Sequence, residues 1–331
     1  MHLFVNIGKT FLLLVLFIGS ANAASICVYD PSGKSGDYFR ILNDYVLEAS
    51  GWGVDIELQA YTDELNAVQA YEAKQCDGVL ATGVRLQRFN NFPTTIEAIG
   101  ALGTYSLLED MLKTLSTSAG AAKMLKVGDH ETVGIVPVGA AYLFLRDRSI
   151  DTVAELAGKK IATLTYDKPS MTMVDRVGAV PVAADLSSIG PKFNNKTVDA
   201  CYISAPAYAP FELERGLGSN GGIIKLPLAQ ATLQLLVRTD GLPADFGAKS
   251  RVFFFSKFND ALQVVKKAES NIPSKYWIEL PEESLPDYDE LFQSTRVQLK
   301  GNAYHTAMLS VMKQLRCAKD SSRFECAENK E

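Results

Sequence analysis

The sequence is poor in the residues that metal binding and catalysis use most often. Only three of its 331 residues are histidine, and the two beyond the N-terminal segment, His130 and His305, have no metal-ligand spacing around them. No Gly-x-Ser-x-Gly motif occurs, and no cysteine has a histidine at a spacing typical of a nucleophile and its base. We therefore expect no metal, no cofactor and no enzymatic activity.

Long apolar runs and an excess of positive charge are missing as well. Past residue 23 no stretch approaches the roughly 20 apolar residues that a transmembrane helix needs. The formal net charge is −5, and setting aside residues 1–23, which hold Lys9 and no acidic residue, makes it −6. Such a mildly acidic chain gives no reason to expect nucleic acid or an anionic membrane surface as a partner.

The first 23 residues have the pattern of a secretory signal peptide. Lys9 precedes the apolar run Phe11–Ile18, and Ala21-Asn-Ala23 provides a small-x-small cleavage site. The apolar run is too short to span a bilayer. We expect cleavage before Ala24 and a mature protein that is exported to the periplasm without a membrane-spanning segment.

All five cysteines lie in the part that is predicted to be exported, where disulfides persist. Cys27 and Cys76 each stand at the start of a predicted strand, and neighbouring strands are about 4.8 Å apart, close to disulfide reach. Cys317 and Cys326 would close a small loop in a polar tail. We predict these two bridges and a free Cys201, although spacing alone does not fix connectivity.

The stretch from Arg148 to Ser204 has helix-capping and turn residues at the spacing of two successive strand-helix units. Thr152 and Glu155 have the spacing of a capping box, and Pro169 can open the next helix. The predicted strands are Lys160–Tyr166, Val180–Ala184 and Ala200–Ser204. Apolar strands that alternate with short helices are typical of a parallel sheet that helices cover on both faces.

The N-terminal part begins with the same alternation, and two long apolar runs follow it. The predicted strands Ile26–Tyr29, Val54–Leu58 and Val79–Ala81 are separated by helices. Thr132–Leu145 is longer than the usual strand of about five or six residues, and Thr232–Arg238 is again apolar. Runs of this length can pass from one domain to another, and a chain of this size favours two domains.

The order and spacing of several short motifs resemble the substrate-binding proteins of TRAP transporters. The upstream match is Asp77–Arg85, with Phe89–Pro93 after it. The downstream pieces are Ala154-Glu155-Leu156, Gly158-Lys159-Lys160-Ile161, Gly178-Ala179-Val180-Pro181-Val182 and Val198-Asp199-Ala200. Together they cover roughly the middle of the chain.

The resemblance implies an α/β, two-lobed, type II periplasmic-binding-protein-like fold, in which each lobe is a mostly parallel sheet flanked by helices and hinge strands join the lobes. The implied divisions are residues 24–138 for lobe I with a return at about 230–265, 139–229 for lobe II, and 266–331 for C-terminal helices and a disulfide-closed tail that pack across the lobes. The implied function is capture of a small solute in the cleft and its delivery to a TRAP-type membrane permease.

The resemblance also implies a set of ligand-binding residues. They are Asp30, Asp63, Thr82, Arg85, Tyr142, Tyr166, Leu186 and Tyr202, with Tyr29 as a further aromatic wall. Two arginines by which such proteins hold a carboxylate align with Ala162 and Tyr142, and an aromatic wall aligns with Leu186. Arg85, beyond the end of a strand, is the remaining candidate for a carboxylate. Without the family's arginines, we expect the pocket to accept a neutral or amine-bearing solute.

Other functions stay open from the sequence alone. The chain could serve an ABC importer or a sensor. A periplasmic enzyme would use Asp30, Asp63 or Lys34 in the cleft, but no nucleophile and base pair supports it. The third alternative is a non-transporting structural or accessory protein of the envelope, which the missing arginines leave open.

Overall fold

The computed structural model describes residues 23–331 and builds them around one mixed sheet. The predicted signal segment lies outside the described residues except for Ala23. The strands are β1 Ala24–Tyr29, β2 Ile56–Tyr61, β3 Gly78–Thr82, β4 Lys126–Val127, β5 His130–Leu145, β6 Lys160–Leu164, β7 Val180–Ala184, β8 Ala200–Ser204, β9 Gly222–Ile224, β10 Ala229–Arg238 and β11 Trp277–Ile278.

The strand order shows two parallel units joined by antiparallel strands. The order is β2-β1-β3-β10-β5-β8-β6-β7, and β4, β9 and β11 are short additions to it. β1 is parallel to β2 and β3, and β6 is parallel to β7 and β8. We call the β2-β1-β3 side with β10 the first lobe and the β8-β6-β7 side the second lobe. The predicted fold class is confirmed.

One long strand connects the two lobes. The first part of β5 pairs with β10, which itself pairs with β3, and Ala141–Leu145 of β5 pair with β8. The two apolar runs singled out in the sequence are therefore neighbours at the centre of the sheet. The exact lobe boundaries given above stay predictions.

Helices cover both lobes and the C-terminal region. They are α1 Asp37–Gly51, α2 Glu64–Glu72, α3 Gly83–Leu86, α4 Asn91–Thr94, α5 Tyr105–Thr117, α6 Ala119–Met124, α7 Lys168–Arg176, α8 Leu186–Asn194, α9 Leu213–Leu217, α10 Phe246–Ser256, α11 Phe258–Ser270, α12 Leu285–Leu299 and α13 Thr306–Lys319. Helix α1 buries Phe39, Leu42, Tyr45 and Ala49, the spacing of a single apolar face. Within residues 23–331 no helix is both long and apolar enough to cross a membrane.

Local sequence patterns predict several helices correctly but fail at a short turn and at a helix that contains proline. Ser118 separates two helices, because it ends α5 and its side chain caps α6. The capping-box helix proved to be only a 3₁₀ turn, Ala154–Leu156, although Glu155 does accept hydrogen bonds from Thr152. Helix α8 was missed because Pro191 lies inside it.

Both predicted disulfides are confirmed. Cys27 on β1 bonds to Cys76 just before β3, and Cys317 on α13 bonds to Cys326 in the tail. Cys201 is free and buried on β8. The first bridge joins neighbouring strands of one lobe, and the second closes the tail.

The closed tail contributes to a buried network of two arginines and two glutamates. Arg296 and Arg316 each pair with both Glu325 and Glu331, and none of these side chains is more than 2 % exposed. The guanidinium groups also donate to the Ile99 and Ala101 carbonyls. Burial alone would raise the pKa of Glu325, but hydrogen bonds from Arg316 and the two positive charges lower it to about 2. The network thus fixes the loop around residues 99–101.

Glu325→Gln tests this network. The substitution leaves buried guanidinium charge uncompensated, so we expect the free energy of unfolding at pH 7 to fall by about 3–5 kcal/mol. Urea unfolding of the mature protein measures the change. Glu279→Gln is the control, because the Lys225–Glu279 pair is exposed and should contribute only about 0–1 kcal/mol. A Glu325→Gln effect no larger than the control would contradict the assigned role of the network.

Candidate functional site

A cavity of about 330 Å³ lies where the strands of the two lobes end. Its walls include the last residues of four parallel-unit strands, which are Tyr29 of β1, Thr82 of β3, Leu164 of β6 and Ser204 of β8. The crevice beyond the carboxyl ends of parallel strands is where open α/β sheets bind ligands. The volume is within the usual range for small-molecule sites.

A bulge in the central strand pair shapes one wall. Gly139 of β5 lies opposite Ala231 of β10, and Pro137 lies opposite Thr232, so Val138 is an extra residue on β5. Gly139 has φ of +112°, a conformation that side-chain-bearing residues rarely adopt. Val138 and Ala231 both line the cavity. The bulge therefore forms part of the cavity wall.

The most informative polar group in the wall is the carboxylate of Glu97. Its Oε1 atom accepts hydrogen bonds from Thr232 N at 2.8 Å and Thr232 Oγ1 at 2.6 Å. Gly83 leaves room for it, because a Cβ there would lie 2.5 Å from Oε1. Burial raises the pKa of Glu97 to about 8, with the Thr232 bonds opposing the shift. Glu97 is thus held in place by neutral donors.

Two further acceptors lie in the same wall. Asp167 is 8 % exposed and caps α7 by accepting from Ser170 N, and burial raises its pKa. Gln230 is 1 % exposed and donates from Nε2 to Leu102 O, while its Oε1 atom has no partner among the described residues. An unpaired buried acceptor is unusual in a folded protein. The wall therefore offers acceptors that protein donors do not fill.

Positive charge is absent from the cavity wall. None of the lining residues within the described part of the chain is Lys, Arg or His, whereas four are acidic, namely Asp30, Asp37, Glu97 and Asp167. Arg85 lines an adjoining groove, which shares Tyr29 and Leu186 with the cavity. Its Nε atom donates to Glu64 Oε2 at 3.0 Å, so its charge is neutralised there.

The structure brings half of the predicted site residues to the cavity. Those in its wall are Asp30, Thr82, Leu186 and Tyr202, together with Tyr29. The Asp30 carboxylate accepts from the backbone amides of Ser32, Tyr38 and Phe39, so it holds the start of α1. Thr82 Oγ1 donates to Glu64. Leu186 and Tyr202 remain proposed ligand contacts.

The other four predicted residues do not line the cavity. Asp63 and Arg85 belong to the adjoining groove, and Asp63 caps α2 by accepting from Asn66 N. Tyr166 lies under the Arg85 guanidinium. Tyr142 does not lie where it was predicted. Its hydroxyl donates to Glu269 and its ring packs on Trp277, away from the cavity. The reason is that alternate residues of a strand face opposite sides of the sheet, and the neighbouring Ala141 is the one that lines the cavity.

Sequence reasoning missed Glu97, Asp167 and Gln230. Glu97 lies in a 3₁₀ turn, and its donor Thr232 is 135 residues away. No local pattern reveals such a pairing. Asp167 did leave a signal, since an acidic residue two positions before Pro169 is a typical helix cap. Gln230 also left a signal, since a polar residue within a mostly apolar strand is a candidate for a functional role.

Sequence similarity to known proteins identifies the family of this chain. A model described as "Solute-binding protein AdeT 1/2" matches residues 49–331. The chain belongs to the solute-binding protein AdeT 1/2 family. A relative described as "Probable solute-binding protein AdeT1", from Acinetobacter baumannii, is 41 % identical over 305 residues, covering 92 % of this chain and all of the relative.

Solved structures place this AdeT 1/2 family member in the fold of TRAP periplasmic solute-binding proteins. One such protein from Haemophilus influenzae, with bound L-gulonate, has a TM-score of 0.71 at 9 % identity and covers 88 % of this chain and 99 % of its own. Another from Rhodoferax ferrireducens, with bound malonate, has a TM-score of 0.69 at 14 % identity and covers 90 % and 100 %. At these identities the likeness shows the fold.

The raised pKa of Glu97 predicts how stability changes with pH. Between about pH 4.5 and 8 the folded protein binds the proton more tightly than the unfolded chain, so the free energy of unfolding should fall as pH rises through that window. One proton contributes at most about 1.4 kcal/mol per pH unit. Asp167, Tyr202 and Tyr304 are the titratable groups whose charges interact with Glu97.

Glu97→Gln should make this fall shallower, since the amide does not titrate. Denaturant unfolding of the solute-free protein at several pH values measures the slope. Glu212→Gln, in an exposed ion pair with Arg215, should keep the original slope. Equal slopes for all three proteins would show that Glu97 does not hold a proton in the folded state.

Proposed function

We propose that this protein captures a small solute between its lobes in the periplasm and delivers it to a TRAP-type membrane permease. The observation that carries the proposal is the cavity at the carboxyl ends of the strands of both lobes. The family and the fold support it, and the structural relatives named above contain small molecules. The signal-like N-terminus supports export.

A cluster between the lobes supports closure around the solute. Tyr166 follows β6 of the second lobe, and its hydroxyl donates to Glu64 of the first lobe at 3.2 Å. The Arg85 guanidinium carbon lies 3.5 Å from the centre of the Tyr166 ring. Glu64 also accepts from Arg85 and from Thr82. We call Glu64, Arg85 and Tyr166 the interlobe latch.

The latch provides contacts that only a closed arrangement of the lobes can make. Such contacts and those of the solute stabilise the same state, so each strengthens the other. A cation stacked on a tyrosine ring is worth about 0.5–2 kcal/mol, depending on how far it is shielded from water. Glu64 and Arg85 are 2 % and 10 % exposed, which favours the upper part of this range.

Tyr166→Ala should weaken solute binding although Tyr166 does not line the cavity. Losing the latch lowers the fraction of closed protein, and apparent affinity falls in proportion. We expect a loss of about three- to thirtyfold, with Tyr166→Phe showing a smaller loss because it keeps the stacked ring. Small-angle scattering of the solute-free proteins should show a larger radius of gyration for Tyr166→Ala. Unchanged affinity and size would contradict the latch.

Solute binding itself is tested with protein that has been unfolded and refolded to remove any retained molecule. The probe is a deproteinised small-molecule extract of a bacterial culture. A component present at about 100 times its dissociation constant adds about 2.7 kcal/mol of stability, a visible rise in the unfolding midpoint. No rise, together with no small molecule released from the protein as first isolated, would contradict the proposal.

A further inference from the structure

We propose that the solute is a small organic cation whose protonated nitrogen pairs with Glu97, an inference that rests on the cavity being the solute site proposed above. The charges of the wall carry it. Four of the lining residues are acidic, and within the described part of the chain no lining residue is basic. Two of the acidic residues already have partners, since Asp30 caps α1 and exposed Asp37 pairs with Arg40. The carboxyl groups left to pair with a solute are those of Glu97, which is bonded to Thr232, and Asp167, which is bonded to Ser170.

The surroundings of Glu97 orient its carboxyl group in the cavity wall without supplying a positive charge. Thr232 N and Oγ1 both donate to Oε1, and Gln234 Nε2 donates in turn to Thr232 Oγ1 at 3.1 Å. A side chain at Gly83 would collide with the carboxylate. These neutral hydrogen bonds orient the carboxylate without cancelling its charge. A buried carboxylate is stable as an anion only when a positive charge accompanies it.

The side-chain amides of the wall give little support to an anionic solute. The Oε1 atom of Gln230 is buried in the wall without a donor. The amide donors of the wall are occupied, because Gln230 Nε2 binds Leu102 O and Gln87 Nε2 binds Ala303 O. A solute that carries N–H groups would donate to the carboxylates of the wall, whereas Gln230 Oε1 is shielded from the cavity as well as from protein donors. An organic acid would bring further acceptors to a wall that lacks free charged donors.

Tyrosine rings add a third favourable feature. Tyr29, Tyr38, Tyr202 and Tyr304 line the cavity. Aromatic faces attract cations, and cages of such rings are used to bind ammonium groups. A metal cation is a poorer fit, because residues 23–331 contain no group of three or more His, Cys, Asp or Glu side chains arranged to hold one. The geometry therefore favours an amine that is protonated at neutral pH.

Probes with one carbon frame and different end groups test the charge of the solute. The refolded mature protein is titrated calorimetrically with putrescine, 1,4-butanediol and succinate, and then with wider panels of amines, alcohols and carboxylates. Choline, which has no N–H group on its nitrogen, separates hydrogen bonding from attraction to the rings. We expect binding from the amine panel and none from the carboxylate panel.

Glu97→Gln should weaken amine binding by about thirtyfold or more, since a buried charge pair loses one partner. Asp167→Asn is the second variant, and it should weaken binding by a smaller factor because Asp167 is already engaged by Ser170. Glu212→Gln is the exposed control and should bind as the unaltered protein does. Thermal unfolding of each variant confirms that it is folded.

The outcomes separate this inference from the proposed function. Binding of carboxylates or alcohols without amines would overturn the cationic solute while solute binding stands. Amine binding that Glu97→Gln and Asp167→Asn leave unchanged would overturn the assignment of the carboxylates. No binding from any panel, with all proteins folded, would count against solute binding itself and against this inference with it.

Discussion

The central constraint on the cavity is the half-buried carboxyl group of Glu97, which has no basic side chain beside it among the described residues. Burying charge is costly unless an opposite charge comes with it, and the raised pKa of Glu97 expresses that cost. Among residues 23–331 no basic side chain lines the cavity, and Arg85 is paired with Glu64 in the adjoining groove. A solute that carries a positive charge would stabilise the closed protein and be selected by it. In the proposed function, binding, closure and selectivity would thus share one electrostatic origin.

The scaffold around Glu97 is held by the central strands on one side and by the C-terminal region on the other. The bulge at Gly139 and the strand β10 present Thr232 to the carboxylate on one side. On the other side the buried arginines bind the carbonyls of residues 99 and 101, just beyond Glu97. The tail that completes this network is closed by its own disulfide. A distant C-terminal segment therefore fixes a group in the cavity wall.

Much of the fold follows from local sequence, and part of the site does. The sequence predicts most strands, their parallel arrangement within each lobe and both disulfides. Turn residues, apolar periodicity and cysteine positions are local signals for these features. Asp30, Thr82, Leu186 and Tyr202 line the cavity, and their contact with a solute stays a prediction. Tyr142 was expected in the cavity wall but lies on the other face of the sheet. The face on which a strand side chain lies depends on the pleat and on the β-bulge, which the sequence does not show. Glu97 was missed because its partners are distant in sequence, so only the folded sheet makes it recognisable.

The most direct test of a cation-selective cavity is the identity of the molecule that the protein itself retains. Protein isolated from the periplasm of expressing cells would be unfolded, and the released small molecules would be identified by mass spectrometry. The account predicts a compound with a nitrogen that is protonated at neutral pH. A retained compound whose only ionisable groups are carboxylates, as in the malonate and L-gulonate of the structural relatives, would contradict it.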